Sequence, residues 1–164
     1  MSKTKEQTKN VFQRIHAVMG DMDTINKNGK NAFHGYDYAT EADFIRAVKP
    51  LLLKHGLTMT MIDHNVVDVR PLMKDTSNFS GKILATVIST YNIVNIDDPQ
   101  DYTYIKVSGQ GIDNGDKAVY KAITGAKKYG LANAFMAITG DDPEKDEQSS
   151  KPKVRSVKKS VSDF

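Results

Sequence analysis

Four lysines crowd into a short segment between residues 117 and 128 of the chain. When this segment is read as a helix, Lys117, Lys121 and Lys128 fall within one narrow stripe, with Lys127 beside it. No acidic residue follows before Gly140, whereas a solvated helix usually places Glu or Asp near its lysines. The one-sided stripe predicts a row of contacts to nucleic-acid phosphates. The alternative is an ordinary solvated helix face.

Two tyrosines and a lysine alternate along the strand predicted just before this helix. Tyr102, Tyr104 and Lys106 share one face of the strand, while Ile105 and Val107 lie on the other. Because the aliphatic face is the better core face, we expect the tyrosine face to be exposed. Aromatic rings stack on bases of any identity, at about 1–3 kcal/mol per base, so this face predicts contacts to unpaired bases. The alternative is that the tyrosines simply cover the sheet.

The segment from residue 26 to residue 38 repeats the combination of aromatic and basic side chains. Tyr36 and Tyr38 follow Lys27 and Lys30 in a stretch rich in Asn, Gly and Lys, which predicts a loop. We expect Lys30, Tyr36 and Tyr38 to contribute to the same nucleic-acid surface. One packed and one exposed tyrosine would explain the pattern equally well.

The residue types that catalysis needs are present but are not arranged for it. The segment from Gly109 to Asn114 resembles a dinucleotide-binding loop without its third glycine, and the following residues offer no magnesium-binding hydroxyl after Lys117. The aspartates fall at predicted turns and caps, the four histidines lack metal-ligand spacing, and cysteine is absent. We therefore expect no enzyme activity, no catalytic residue, no metal site and no cofactor. The glycines predict a sharp turn and a close backbone approach, with a phosphate at the helix N-terminus as one candidate.

The elements that must position these residues predict an α+β fold. Helical periodicity predicts a first helix over residues 5–22. A capping box at residues 40–43 predicts a second helix that ends near residue 56, with a kink or an early end at Pro50. Alternating β-branched and aromatic residues over 57–70, 82–94 and 102–108 predict an antiparallel sheet of three long strands, the first broken near His64.

A third, basic helix follows the predicted sheet. Asp113 and Asp116 predict its cap and an acidic first turn, and Gly130 predicts its end. Its predicted core face is made of small and branched apolar residues, namely Val119, Ala122, Ile123 and Ala126. A short apolar piece over residues 131–138 continues the core.

The composition changes at residue 141 and divides the chain into two parts. Residues 141–148 hold one lysine against five acidic residues, and residues 149–164 hold five basic residues against one acid, within a net charge of +3. We expect a single-strand annealing and oligomerisation domain over residues 1–142 and a disordered charged tail over residues 143–164. The sequence shows neither a membrane span nor a secretory signal. The expected location is the cytoplasm, that of the host cell if the protein is phage-encoded.

Three stretches of sequence resemble one protein family and occur in that family's order. They are YDYATEADFIRAVKPLLLKHGL at 36–57, GQGIDNGDKAVYKAITGAKKYGLANAF at 109–135 and TGDD at 139–142. Over about residues 8–142 the chain resembles the ERF (essential recombination function) family of phage single-strand annealing proteins, while the tail carries none of the family's motifs. The resemblance implies a β-β-β-α core like that of the eukaryotic annealing mediator. It also implies ATP-independent annealing, a ring or filament of identical subunits, and collaboration with an exonuclease and a single-strand-binding protein.

The residue patterns predict a single-stranded DNA-binding protein, and the family resemblance implies that it anneals complementary strands without ATP in phage homologous recombination. Two other classes of protein stay open at this point. One is a single-strand-binding protein that protects DNA and does not anneal it. The other is a metal-dependent nuclease, which would need several of the aspartates to converge on one pocket.

Overall fold

The computed structural model describes residues 8–32 and 35–140 of the chain. Three long antiparallel strands form one sheet, and two short strands form a separate hairpin. The elements in chain order are α1 (Val11–Gly20), β1 (Gly29–Asn31), β2 (Tyr36–Tyr38), α2 (Glu41–Lys54), β3 (Leu57–Met73), β4 (Phe79–Asn95), β5 (Asp98–Asp113) and α3 (Lys117–Phe135). The predicted α+β fold, with three strands followed by a helix, is confirmed. The tail predicted over 143–164 lies outside the described residues.

Helix α1 is shorter than the sequence pattern predicted. A reciprocal cap fixes its start, because the Asn10 side chain accepts a hydrogen bond from the Gln13 N–H and the Gln13 side chain accepts one from the Asn10 N–H, each at 2.9 Å. Residues 8–10 are therefore not helical, and the predicted start at residue 5 lies outside the described residues. The helix buries Val11, Ile15 and Val18, which recur at helical spacing.

Helix α2 begins at the predicted capping box, with the Thr40 side chain accepting from the Asp43 N–H. It buries Phe44 and Val48. Pro50 lies inside the helix, which continues to Lys54, so the early end predicted at this proline is wrong. Pro50 removes one backbone hydrogen bond, but Leu51 and Leu52 pack against the hydrophobic core and hold the last turn in place.

The sheet is longer than the predicted strand segments. Residues 57–70, expected as two pieces, belong to the single strand β3, and the predicted break near His64 appears as two register shifts on either side of it, at 61–63 and 66–68. Residues 95–101 lie between the second and third predicted strands, and the connection there is only a tight turn because β5 begins at Asp98. Strand β4 lies in the centre and pairs antiparallel with both neighbours.

Helix α3 packs lengthwise on β5 and β4 through a row of small residues. Ala118, Ala122, Ala126 and Gly130 recur every fourth residue and are buried. Of the four residues predicted for the core face, Ala122 and Ala126 are buried, whereas Val119 and Ile123 are only partly buried. The reason is that the buried row of small residues runs through Ala118 and not through Val119. Their neighbours in this small core include Ala85 and Val87 of β4. A larger core joins α1, α2, the end of α3 and one end of the sheet.

Both predicted ends of α3 need correction. Gly130 does not end the helix, which runs to Phe135. A Cβ at this position would lie 3.1 Å from Val107 Cγ1, so the glycine allows the helix to pack closely on β5. The helix takes up most of the apolar piece predicted after it. At the start, Asp116 makes no side-chain capping bond, and the first turn holds no acidic residue. Asp113 instead accepts from the Gly115 N–H at 3.2 Å in the turn before the helix.

Candidate nucleic-acid interface

A groove of about 840 Å³ lies between the β1–β2 hairpin and the edge formed by β5 and α3. We call it the hairpin groove. Its lining combines hairpin residues with residues of β5 and α3, namely Lys30, Asn31, Ala32, Tyr36, Tyr38, Gln110, Gly111, Ile112, Lys121 and Lys128. Five of the ten residues predicted from sequence therefore meet here, although they come from segments far apart in the chain.

The hairpin itself corrects the loop predicted over residues 26–38. β1 and β2 pair antiparallel, with Gly29 opposite Tyr38. A Cβ on Gly29 would lie 2.7 Å from the Tyr38 ring, so only glycine lets this ring lie across the neighbouring strand. Strands of three residues are too short to show an alternating pattern, which is why the sequence predicted a loop.

A buried carboxylate ties the base of the hairpin to α2. Asp43 is 4% exposed and accepts hydrogen bonds from Asn28 Nδ2 at 2.7 Å, Thr40 Oγ1 at 2.6 Å and Thr40 N at 2.8 Å. The hydrogen bonds from Thr40 and Asn28 hold the pKa of Asp43 well below its usual range. The two segments that flank the hairpin are thereby joined to one ionised group.

The aromatic wall of the hairpin groove is half-exposed and already contacts a cation. The Tyr36 and Tyr38 rings meet edge to face, with 6.3 Å between their centroids. Lys128 Nζ lies 5.6 Å from the centroid of the Tyr38 ring, within range of a cation–π contact. Burial lowers the pKa of Lys128, while the carboxylates of Asp43 and Glu41 act in the opposite direction. The groove thus places a partly shielded ammonium group beside exposed ring faces.

Two of the α3 lysines pair with acidic residues that lie outside the helix. Lys121 Nζ lies 2.5 Å from Asp113 Oδ2 and donates to the Ile112 carbonyl at 3.1 Å. The hydrogen bond from Lys121 lowers the pKa of Asp113. Lys127 Nζ donates to Glu41 Oε1 at 2.7 Å. Two of the four predicted lysines are therefore paired inside the fold.

The other predicted residues lie on different surfaces. Lys117 is exposed at the first position of α3, and Lys127 lines a separate apolar groove between α2 and β3. Tyr102, Tyr104 and Lys106 are exposed on the face of the sheet opposite α3, since the alternate residues of β5 pack beneath that helix. This exposure is as predicted. We call these three residues the sheet patch, and the structure does not bring them together with the hairpin groove.

The glycines at 109 and 111 serve helix packing. A Cβ on Gly109 would lie 2.2 Å from the Ala122 carbonyl oxygen, and one on Gly111 would lie 2.2 Å from that of Ala118. The predicted close backbone approach is confirmed, but it joins strand to helix. The predicted sharp turn is wrong, because both glycines lie within β5.

Sequence reasoning missed several groups that complete the hairpin groove. Asn31, Gln110 and Ile112 also line this groove. Only the position of Gln110 between two glycines hinted at such a role. Over residues 8–32 and 35–140, no three His, Asp or Glu side chains gather as metal ligands would. Each helix among these described residues is too short or too polar to span a lipid bilayer.

Comparison with known protein families identifies the superfamily to which the chain belongs. The model of the ERF superfamily matches residues 11–163, nearly the whole sequence, and the chain belongs to this superfamily. The match extends past residue 142, so the expectation that the tail falls outside the family likeness is wrong. The superfamily indicates DNA binding and phage recombination, and its members are annealing proteins rather than typical enzymes. A comparison with curated proteins finds no match.

Proposed function

We propose that this protein binds single-stranded DNA in the hairpin groove and anneals complementary strands without ATP during phage homologous recombination. The observation that carries the proposal is the meeting of two half-exposed tyrosines with three lysines, Lys30, Lys121 and Lys128, in one open groove. The lysines offset phosphate charge, and the rings stack on bases without selecting among them. Membership of the ERF superfamily supports the same conclusion.

Annealing needs no chemical fuel, because each base-pair step formed returns about 1.4 kcal/mol of stacking free energy. Its barriers are the repulsion between two phosphate backbones and the structure within each strand. A groove that neutralises phosphates lowers the first barrier, and one that keeps the bases of a strand from pairing with each other lowers the second. We therefore infer a protein that is not an enzyme and uses no cofactor or catalytic metal.

We further propose that identical subunits assemble into a ring or filament. One subunit of 18.2 kDa offers a groove for only a few nucleotides, too few to hold a stable duplex, so neighbouring grooves must act in series. In this proposal an exonuclease supplies the single strands and a single-strand-binding protein coats them before annealing. Residues 1–142 would carry annealing and assembly, and residues 143–164 would capture DNA or a protein partner.

The sheet patch is proposed as a second contact for bases and phosphates. Tyr102 and Tyr104 are 53% and 59% exposed, which leaves their ring faces open to stacking. Because this patch and α3 lie on opposite faces of the sheet, its contribution is separable from that of the hairpin groove. Tyr102→Ala with Tyr104→Ala is therefore tested as its own variant.

The decisive binding experiment compares lysines inside and outside the hairpin groove. Fluorescence anisotropy of a labelled oligothymidine is recorded across a salt series for the full-length protein. Removal of one phosphate contact lowers the salt slope by about 0.7, so Lys121→Ala with Lys128→Ala is expected to flatten the slope by about 1.4. Lys74→Ala with Lys82→Ala, an equal loss of two charges on exposed residues that do not line the groove, is expected to leave the slope unchanged. An equal effect of both variants would contradict the groove as the binding site.

Two further measurements separate this proposal from the other classes of protein. Mixing complementary oligonucleotides with the protein speeds duplex formation if it anneals and slows it if it only protects single strands. Incubating a labelled strand with the protein and magnesium leaves the strand intact unless the protein is a nuclease. Slower duplex formation or loss of the strand would each reject annealing as the function.

A further inference from the structure

The ion pair between Asp113 and Lys121 places a carboxylate in direct competition with DNA. Lys121 lines the hairpin groove, yet two of the three N–H bonds of its ammonium group are used by Asp113 Oδ2 and the Ile112 carbonyl. A carboxylate oxygen and a phosphate oxygen accept from ammonium in the same way. A phosphate that approaches Lys121 must therefore displace Asp113 or stay close to a second anion.

The pair is placed so that exchange is feasible. The Lys121 side chain is 55% exposed and that of Asp113 is 21% exposed, so the pair is neither buried nor held by a dry environment. Lys128 offers a contrast in the same groove, because its ammonium group lies over the rings of Tyr38 and Phe44. Of the two α3 lysines in the groove, Lys121 thus forms an ion pair with a carboxylate, whereas Lys128 contacts aromatic rings.

We propose that Asp113 sets the affinity of the hairpin groove by acting as an internal substitute for phosphate on Lys121. This inference rests on the proposed function, because it concerns the same groove. An annealing protein must let a strand shift until its complement is in register, and a groove that binds too tightly would prevent this. Asp113 weakens the hold at each subunit, while a strand that spans several subunits stays bound through all of them.

The test replaces Asp113 with Asn in the full-length protein. The amide keeps an oxygen that accepts from the Gly115 N–H, so the turn before α3 is preserved. Because a solvent-exposed ion pair of this kind corresponds to about a two- to five-fold change in an equilibrium constant, D113N is expected to bind oligothymidine about two- to five-fold more tightly. Chase with unlabelled oligothymidine is expected to show slower dissociation by the same factor. D113E, which keeps the charge, is expected to bind as the wild type does.

The control is Asp116→Asn, which removes the same charge three residues later. Asp116 is exposed, makes no capping hydrogen bond and forms no ion pair within the described part of the chain. Its effect measures general repulsion between the protein and DNA. In a Lys121→Ala background, the effect of D113N is expected to fall to that of D116N. The reason is that Asp113 then has no ammonium group for which it competes with a DNA phosphate.

The outcomes separate this inference from the proposed function. Tighter binding by D113N than by D116N, abolished in the Lys121→Ala background, supports Asp113 as a competitor. Equal effects of D113N and D116N would overturn it in favour of plain repulsion, and weaker binding by D113N would overturn it by showing that Asp113 positions Lys121 for DNA. In both of these cases the wild type still binds oligothymidine. Failure of the wild type to bind would instead reject the proposed function, and this inference with it.

Discussion

Replacing Gly111 with alanine is the sharpest test of how α3 is held over the sheet. A Cβ at this position would lie 2.2 Å from the Ala118 carbonyl oxygen and 2.4 Å from the Ala122 backbone nitrogen. Both atoms belong to the helix backbone, so no side-chain rotation relieves the contact, and α3 must move by about 1 Å to restore van der Waals separation. Overpacking of this kind costs about 1–3 kcal/mol. We expect G111A to lie at the upper end of that range.

The assay is urea unfolding followed by circular dichroism, with Gly115→Ala as the matched control. A Cβ on Gly115 would have no atom within 4 Å and the residue has no positive φ, so its substitution adds the same methyl group to open space. We expect G115A to change the free energy of unfolding by about 0.5 kcal/mol or less. The midpoint for G111A is expected to fall with an unchanged slope, which signifies lower stability of the same folded state.

The same variant links packing to binding. Because α3 carries Lys121 and Lys128 into the hairpin groove, a shifted helix is expected to weaken the binding of oligothymidine by G111A, whereas G115A binds normally. Equal unfolding midpoints for the two variants would refute the packing of α3 on β5 through these glycines. Normal binding by a destabilised G111A would separate the groove from that packing.

Three other predictions concern chemistry, pH and the tail. Annealing is expected to proceed in EDTA without ATP, at a rate set by ionic strength, and a strict need for hydrolysable ATP in a strand-annealing assay would contradict it. Because the pKa of Asp43 is depressed in the folded state, its contribution to stability is present above the unfolded pKa of about 3.9 and is lost as pH falls through the lower folded value. Asp43→Asn is therefore expected to be less stable than the wild type at neutral pH, with a gap in urea midpoint that narrows toward about pH 2; a constant gap would refute the assignment. Truncation after residue 142 is expected to leave a folded, assembled core by circular dichroism and mass measurement. The truncated protein is then compared with the full-length protein on naked strands and on strands coated with single-strand-binding protein. An annealing defect on both substrates would assign residues 143–164 to DNA capture, and a defect only on coated strands would assign them to partner recognition. The absence of any defect would mean that they have no role in annealing.

Much of the fold was readable from local sequence because local physics decides it. The capping box at Thr40 and Asp43 specifies where α2 begins, and the alternation of β-branched residues specifies three strands. The exposed face of β5 followed from the same alternation. Each of these features depends on neighbours within about one turn or one strand, which the sequence presents in order.

Only the tertiary structure decided which of these residues share a site. The hairpin groove joins residues 30–38 to residues 110–128, and no local pattern encodes that meeting. The ion pair between Lys127 and Glu41 spans 86 positions, so the α3 lysines looked uncompensated when read along the chain. The close backbone approach at Gly111 was predicted correctly, but the sharp turn was not, because a missing Cβ serves a turn, a ligand or a packed helix equally well. Sequence spacing shows what a residue is able to do, but contacts between distant segments determine what it meets, because burial and charge pairing depend on distance in space.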